Sequence, residues 1–289
     1  MPSDPIVAAL TKLAQRPSSP SDFLALAEAH SVLGENDVAA SYYRRALKLK
    51  PDFTSAYAGL ARLRMPGSSY YKLLDRLYAA LAPESILEIG VADGASLSLA
   101  RAPTVAIGVD PEPSIKHTLG TETHIFTETS DAFFASRSLK ELLKYKPLGV
   151  GFIDGLHIFE QALRDFINLE SCCDRFSVIL LHDTVPLDEL TQRRVRETAF
   201  YTGDVWKTVV CLKEYRPDLD IFTVSAPPTG LTIVSGLDPS SRVLTENYES
   251  AVAKFVDMPF SAIEHRLEAA LNVVPNDWRM VKRRLTQKG

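Results

Sequence analysis

The chain has 289 residues, so a prior of ~150 per domain allows one large domain or two smaller ones. Apolar residues make up 46% and charged residues 24%, enough to bury a core without disulfide or metal staples. A net charge of −4 gives no bulk attraction for nucleic acid, and no apolar run approaches the ~18 residues of a membrane span. The N-terminus has Asp4 early and no basic segment followed by an apolar one, so no signal peptide is expected and the location read from the sequence is cytoplasmic. Three cysteines, with Cys172 and Cys173 adjacent and Cys211 alone, fit neither a disulfide framework nor a zinc knuckle and read as buried thiols.

Residues 5–65 are rich in Ala, Leu, Arg and Lys, with apolar positions recurring every three or four. Pro20-Ser21-Asp22 supplies a helix start, capped by Ser21 or Asp22; Gly34-Glu35-Asn36-Asp37 is a turn; Pro51 stops a second helix, and Ser55 to Arg64 gives a third. Over residues 20–53, Leu26, Ala27, Gly34, Ala39, Tyr43, Ala46 and Pro51 stand at the small, aromatic and terminating positions of a tetratricopeptide repeat, which this segment resembles. One full repeat and part of another are visible, fewer than a free solenoid needs, so the reading is a helical cap packed on the next domain. A protein partner or a second copy docking on these helices stays open.

Met65 to Ser69 forms the junction, giving a helical domain over 1–66 and a second domain over 67–289. Beyond it come short β-branched runs at Ser85–Ile89, Thr104–Val109, His124–Thr127, Gly149–Asp154 and Val178–Leu181, each of the first four intervals long enough for a crossover helix. Ile221–Val224 and Thr232–Val234 come next with a short turn between them, which makes a hairpin and reverses the last strand. The core spans 84–236, and residues 240–289 return to helix, with the basic run Arg279–Lys288 read as a solvated helix end.

The first strand runs into Glu88-Ile89-Gly90-Val91-Ala92-Asp93-Gly94, where glycine lets the backbone turn against a ligand. Ala92 breaks the nicotinamide fingerprint G-x-G-x-x-G, which argues against a dehydrogenase. The spacing E-x-G-x-x-x-G, Asp110 at the end of the second strand and the closing hairpin together resemble the class I S-adenosylmethionine-dependent methyltransferases. That resemblance implies an α/β fold with a Rossmann-like seven-stranded sheet whose last strand is antiparallel. It also implies S-adenosyl-L-methionine as cofactor, with Glu88 near its amino group and Gly90, Ala92 and Gly94 against its methionine portion. Asp110 would meet the ribose hydroxyls, and Ser130 and Asp131 the adenine.

Strand four ends in Asp154-Gly155-Leu156-His157 and strand five in His182-Asp183, so these groups converge at the carboxyl edge where an open α/β sheet binds ligands. Two carboxylates are hard ligands for Mg²⁺, and a histidine can take a proton from a hydroxyl. Residues 70–236 resemble the metal-dependent O-methyltransferases of sugars and natural products. Asp154 and Asp183 stand at two of their metal-ligand positions and His157 at their base. His182 departs from that pattern, which leaves three outcomes open: a softer ion such as Mn²⁺ with His182 as a ligand, His182 as a base, or no metal. The string Thr202-Gly203-Asp204-Val205-Trp206-Lys207 occupies a segment that covers the acceptor in such folds, where Trp206 could stack on a ring and Lys207 meet an anion. The resulting expectation is methyl transfer to a hydroxyl of a small molecule or glycan. Competing readings are an N- or protein methyltransferase that uses the helices as a docking surface, and an interaction module that has lost activity.

Overall fold

A computed structural model describes residues 17–286; the ends of the expected helical and basic segments, 1–16 and 287–289, lie outside the described residues. Three helices open it: α1 (Pro20–Val32), α2 (Asn36–Leu49) and α3 (Thr54–Arg64). The cap of α1 is Ser19, not Ser21 or Asp22. The Ser19 hydroxyl accepts from the Asp22 amide at 3.1 Å while the Asp22 carboxylate accepts from the Ser19 amide at 2.9 Å. This reciprocal capping box places Pro20 in the first turn, where its missing N–H costs nothing. Leu26, Ala27, Ala39, Tyr43 and Ala46 are buried between the helices, as the repeat pattern requires. The Tyr43 ring lies where a Cβ on Gly59 would sit, so α3 approaches α2 only because position 59 has no side chain.

A fourth helix, α4 (Tyr70–Leu81), has no counterpart among the expected elements and begins directly after the junction. Next comes the sheet, with β1 (Ser85–Ile89), β2 (Val105–Val109), β3 (Thr123–Phe126), β4 (Val150–Ile153), β5 (Val178–His182), β6 (Asp220–Val224) and β7 (Leu231–Ser235). Strand order is β3-β2-β1-β4-β5-β7-β6, parallel except for β7, which runs antiparallel to both neighbours. This is the expected α/β sheet with its reversed last strand. One addition extends it: β8 (Val273–Val274) pairs in parallel with β6, making eight strands instead of seven.

The first two crossovers also differ from expectation. A single 3-10 turn, Leu97–Leu99, spans β1 to β2, and no helix spans β2 to β3. Gly90, Gly94 and Pro103 punctuate the first interval and Pro111, Pro113 and Gly120 the second. Prolines remove backbone donors and push the preceding residue out of helical geometry. The later intervals carry α5 (Ser130–Ser136), α6 (Leu139–Leu142), α7 (Phe159–Glu170) and α8 (Trp206–Tyr215). Short helices α9 (Val243–Glu246), α10 (Tyr248–Phe255) and α11 (Leu267–Ala270) precede β8, and α12 (Trp278–Thr286) ends the described chain. Arg284 of α12 is not merely solvated, because its guanidinium pairs with Asp220 at 2.7 Å and lies 4.3 Å over the Phe222 ring.

Tyr57, Ala61 and Met65 of the N-terminal helices belong to the same apolar core as Leu87, Phe159 and Trp206. The helical segment is thus packed into the α/β unit. The three cysteines are buried and unbridged. Among the described residues, no helix is long and apolar enough to cross a membrane.

Candidate active site

At the carboxyl edge of β1, β2 and β4 lies a cavity of about 600 Å³, lined among others by Gly90, Ala92, Asp110, Ser130, Asp131 and Asp154. Five of these are the expected cofactor residues. Gly90 has φ +87°, and a Cβ there would fall 2.1 Å from the Asp154 carbonyl oxygen, so a bare backbone is needed for β1 to turn against β4. Ala92 also takes positive φ, at 47°, which a small side chain tolerates best. Gly94 closes the turn, its amide donating to the Val91 carbonyl at 2.8 Å.

Asp110 lines this cavity, but its carboxylate is engaged in a way the sequence does not suggest. One oxygen accepts from the Val91 and Ala92 amides, both at 2.8 Å, and the other from the Glu112 amide at 2.7 Å. Asp110 therefore fixes the loop first; an ionised carboxylate has lone pairs left for a ribose hydroxyl. Ser130 and Asp131 both accept from the Gln161 side-chain amide, at 3.1 and 3.0 Å, and Gln161 joins the lining although no sequence signal marks it. Its position on α7 becomes meaningful only once that helix is placed beside α5.

Glu88 is fully buried, and burial pushes its carboxyl well above the usual range. One oxygen accepts from the Ser96 hydroxyl at 2.5 Å; the other, Oε2, has no partner among the described residues. A buried polar atom left unpaired is costly, and an ammonium group brought to Oε2 would satisfy it.

Asp154 links this cavity to a second group of side chains. His182 Nδ1 lies 3.1 Å from Asp154 Oδ1 and 3.4 Å from Asp183 Oδ2, while its Nε2 meets the Thr229 hydroxyl at 3.2 Å. His157 Nε2 lies 3.2 Å from Asp183 Oδ2 and 3.7 Å from Asp154 Oδ1. Burial opposes charge on His182, yet the carboxylates of Asp183 and Asp154 outweigh it and push the imidazole up to about 10. Burial would raise Asp183, but the charge of His182 beside it outweighs that and holds it at about 2. Asp183 also has φ +56°, a left-handed conformation that costs a non-glycine residue on the order of 1–3 kcal/mol and is concentrated at functional sites.

One ligand atom each from Asp154, His182 and Asp183 falls within 4.8 Å of the others, a spacing that fits a divalent cation. The donor set of two oxygens and one nitrogen suits Mn²⁺ better than Mg²⁺, which prefers oxygen alone.

The two histidines differ in freedom. Both nitrogens of His182 are engaged and its side chain is 7% exposed, whereas that of His157 is 23% exposed. With Nε2 facing Asp183, His157 has Nδ1 left over, a buried atom with no partner among the described residues.

Trp206 and Lys207 require correction as acceptor contacts. Trp206 is fully buried, its indole N–H donating to the Gln192 side chain at 3.1 Å. Lys207 is buried too, with its ammonium 3.0 Å from Asp204 and 2.5 Å from the Val256 carbonyl. Asp204 further accepts from the Phe159 amide at 2.7 Å and pairs with Arg194 at 2.8 Å. This string locks the 183–205 segment to α7 and the C-terminal helices. Its Gly203 packs so closely that a Cβ would lie 1.9 Å from the His157 carbonyl oxygen.

Comparison with known proteins bears out the helical part directly: residues 20–63 match the tetratricopeptide repeat family. No curated protein matches the sequence. Solved structures similar to the chain include cofactor-bound Rv0187 from MTB, at 16% identity and TM-score 0.45, covering 65% of this chain and 90% of that one. Another is the O-methyltransferase TomG from Streptomyces achromogenes, involved in tomaymycin synthesis and solved with SAM. It shares 17% identity at TM-score 0.45, with 64% and 89% of the two chains covered. A third is an O-methyltransferase from Bacillus cereus in complex with SAH, at 14% identity and TM-score 0.44, covering 62% and 87%.

Proposed function

We propose that the chain is an S-adenosylmethionine-dependent O-methyltransferase acting on a hydroxyl of a small molecule or glycan. The observation that carries this reading is the double position of Asp154, which lines the cofactor-sized cavity and also holds His182 at 3.1 Å. A nucleotide-like ligand in that cavity would therefore end beside a cluster equipped to handle a hydroxyl proton.

S-adenosylmethionine, when bound, supplies an electrophilic methyl group on a sulfonium. Gly90 and Ala92 leave room for its methionine portion, and Asp110, Ser130, Asp131 and Gln161 border the nucleoside; Glu88 is buried outside that lining, with Oε2 unpaired. His157 is the base: its Nε2 lies 3.2 Å from Asp183, whose carboxylate stabilises the imidazolium formed when the ring takes the acceptor's proton. His182 is better suited to orienting Asp154 and Asp183 than to proton transfer, since both its nitrogens are occupied.

If a divalent cation joins the site, Asp154, His182 and Asp183 would hold it and it would lower the pKa of a bound hydroxyl. A metal-free alternative has its own support. His182 is held protonated by the two carboxylates, so an imidazolium already supplies positive charge between them. Calorimetric titration with Mn²⁺ separates the two, because heat that disappears in Asp183→Asn is expected of a metal site and absence of heat selects the imidazolium.

The central reading is tested by mass spectrometry of small molecules retained by the purified protein, followed by titration with S-adenosylhomocysteine. Saturable binding that Asp110→Ala weakens is expected. No binding by the wild-type chain would remove the assignment.

A further inference from the structure

Each histidine of the cluster is stacked on a tyrosine. His182 lies face to face with Tyr70, ring centroids 3.9 Å apart and planes 27° apart. Tyr70 is the first residue of α4 and is 7% exposed. Its amide donates at 3.0 Å to the carbonyl of Pro227, in the same β6–β7 turn whose Thr229 hydroxyl holds His182 Nε2. His157 stacks on Tyr201, with centroids 5.6 Å apart and planes only 6° apart.

Tyr201 belongs to the irregular segment between β5 and α8, and the helices grip that segment at several points. The Tyr57 hydroxyl donates to Asp188 at 3.1 Å, and the Tyr57 ring stacks on Phe200 at 5.3 Å. Arg64 donates to the Pro186 carbonyl at 3.2 Å, and the Asp52 carboxylate accepts from the Ala199 amide at 2.7 Å. Tyr57 itself is buried, so this face of α3 is committed to the chain's own α/β unit.

We propose that α3 and α4 are a built-in brace for the reaction site, in which Tyr70 of α4 positions His182 directly and Tyr57 of α3 positions His157 through the 186–201 segment. This inference rests on reading the cluster as the place where a hydroxyl loses its proton. An imidazole with that task must present one nitrogen in one direction. In-plane hydrogen bonds fix how the ring is turned, and a stacked aromatic fixes its tilt. The tetratricopeptide-like helices thereby become part of the enzyme's working geometry.

The test needs neither acceptor nor cofactor. Two-dimensional spectra of the imidazole nitrogens are recorded at a single pH on the full chain labelled with ¹⁵N-histidine, and His157→Gln and His182→Asn assign the two sets of signals. Tyr70→Leu is expected to shift the His182 signals and leave those of His157. Tyr57→Phe, which removes the donation to Asp188 and keeps the ring, is expected to do the reverse. Tyr70→Phe restores the stack and should return His182 close to its wild-type position. A merely structural role would move both histidines together, along with the remaining ones, and that outcome overturns the proposal; so does an unmoved His182 in Tyr70→Leu. Should Tyr70→Leu fail to fold, Tyr57→Phe decides, since His157 alone should respond. A chain that binds no S-adenosylmethionine would defeat the methyltransferase reading, whereas the crossed pattern of shifts decides the brace.

Discussion

The cavity beside the β1 loop and the histidine–aspartate cluster meet at Asp154, yet different forces hold them. On the cavity side the key contacts join a side chain to nearby backbone, as when Asp110 accepts from the Val91, Ala92 and Glu112 amides. On the cluster side, charged side chains from distant segments face one another: Asp154, His157, His182 and Asp183 at the centre, with Asp204, Arg194 and Lys207 behind them. Backbone-anchored loops depend on conformation, and buried charge networks depend on every partner being present. The cluster side should therefore be the more fragile to loss of one group, and the more sensitive to pH.

The largest effect is expected from Asp204→Ala. It leaves Lys207, whose side chain is 5% exposed, without a carboxylate, and stranding a buried charge costs about 3–5 kcal/mol. Lys207→Met should cost much less, because Asp204 keeps Arg194 and the Phe159 amide. Urea unfolding of the two variants measures the difference; equal losses would mean that the network is not organised around Asp204.

A smaller but distinctive effect should come from pH. The folded state raises His182 from 6.5 to about 10, so the stability it contributes is fully present below pH 6.5 and is lost as pH climbs toward 10. Asp183 works in the opposite sense, contributing above its unfolded value of 3.8 and losing that contribution as pH falls toward 2. Unfolding free energies of wild type and His182→Asn, measured from pH 6 to 10, should converge as the pH rises. A constant gap would mean that His182 is neutral when folded.

The cavity side was largely legible in the sequence because its determinants are contiguous or sit at strand ends. Glu88 to Gly94 announce a turn through their own composition, and Asp110, Ser130 and Asp131 come after strands whose apolar runs are plain. At the cluster, Asp154, His157, His182 and Asp183 were equally legible for the same reason. Their surroundings were not. Tyr70 sits just past Pro66-Gly67, which reads as a junction, and Thr229 lies in a turn between two strands with nothing local to mark it. Trp206 and Lys207 look like exposed recognition residues until Val256, far along the chain, is seen to accept from the ammonium. Burial and partnership across such separations have no periodic signature. The missing crossover helices are a different case, since Pro103, Pro111 and Pro113 carried the warning in plain view.

On the cavity side, Gly90→Ala tests whether conformation governs there. The new Cβ must coexist with the Asp154 carbonyl at a built distance of 2.1 Å and adopt φ +87°, a strain on the order of 1–3 kcal/mol before any clash. The loss should appear in thermal unfolding and in S-adenosylhomocysteine titration together, because the loop and the β4 end move as one. Weakened binding at unchanged stability would show that Gly90 is needed by the ligand and not by the backbone.

Asp110→Asn should have the smallest effect of the set, and it separates the two sides most cleanly. Asparagine keeps one carbonyl oxygen, so the loop amides of Val91 and Ala92 retain an acceptor, while the second oxygen that takes the Glu112 amide becomes a donor group. Hydrogen bonds to charged acceptors contribute about 1.5–3 kcal/mol each and neutral ones about 0.5–1.5, so a net loss of roughly 1–2 kcal/mol is expected. Added salt should change that loss little, since the contacts are short and made to fixed amides. A destabilisation matching that of Asp204→Ala would break the distinction, because it would mean that the loop depends on the carboxylate's charge as heavily as Lys207 does. A loss within the expected range, accompanied by weaker S-adenosylhomocysteine binding, would instead show one carboxylate of the cavity wall serving loop and ligand at once.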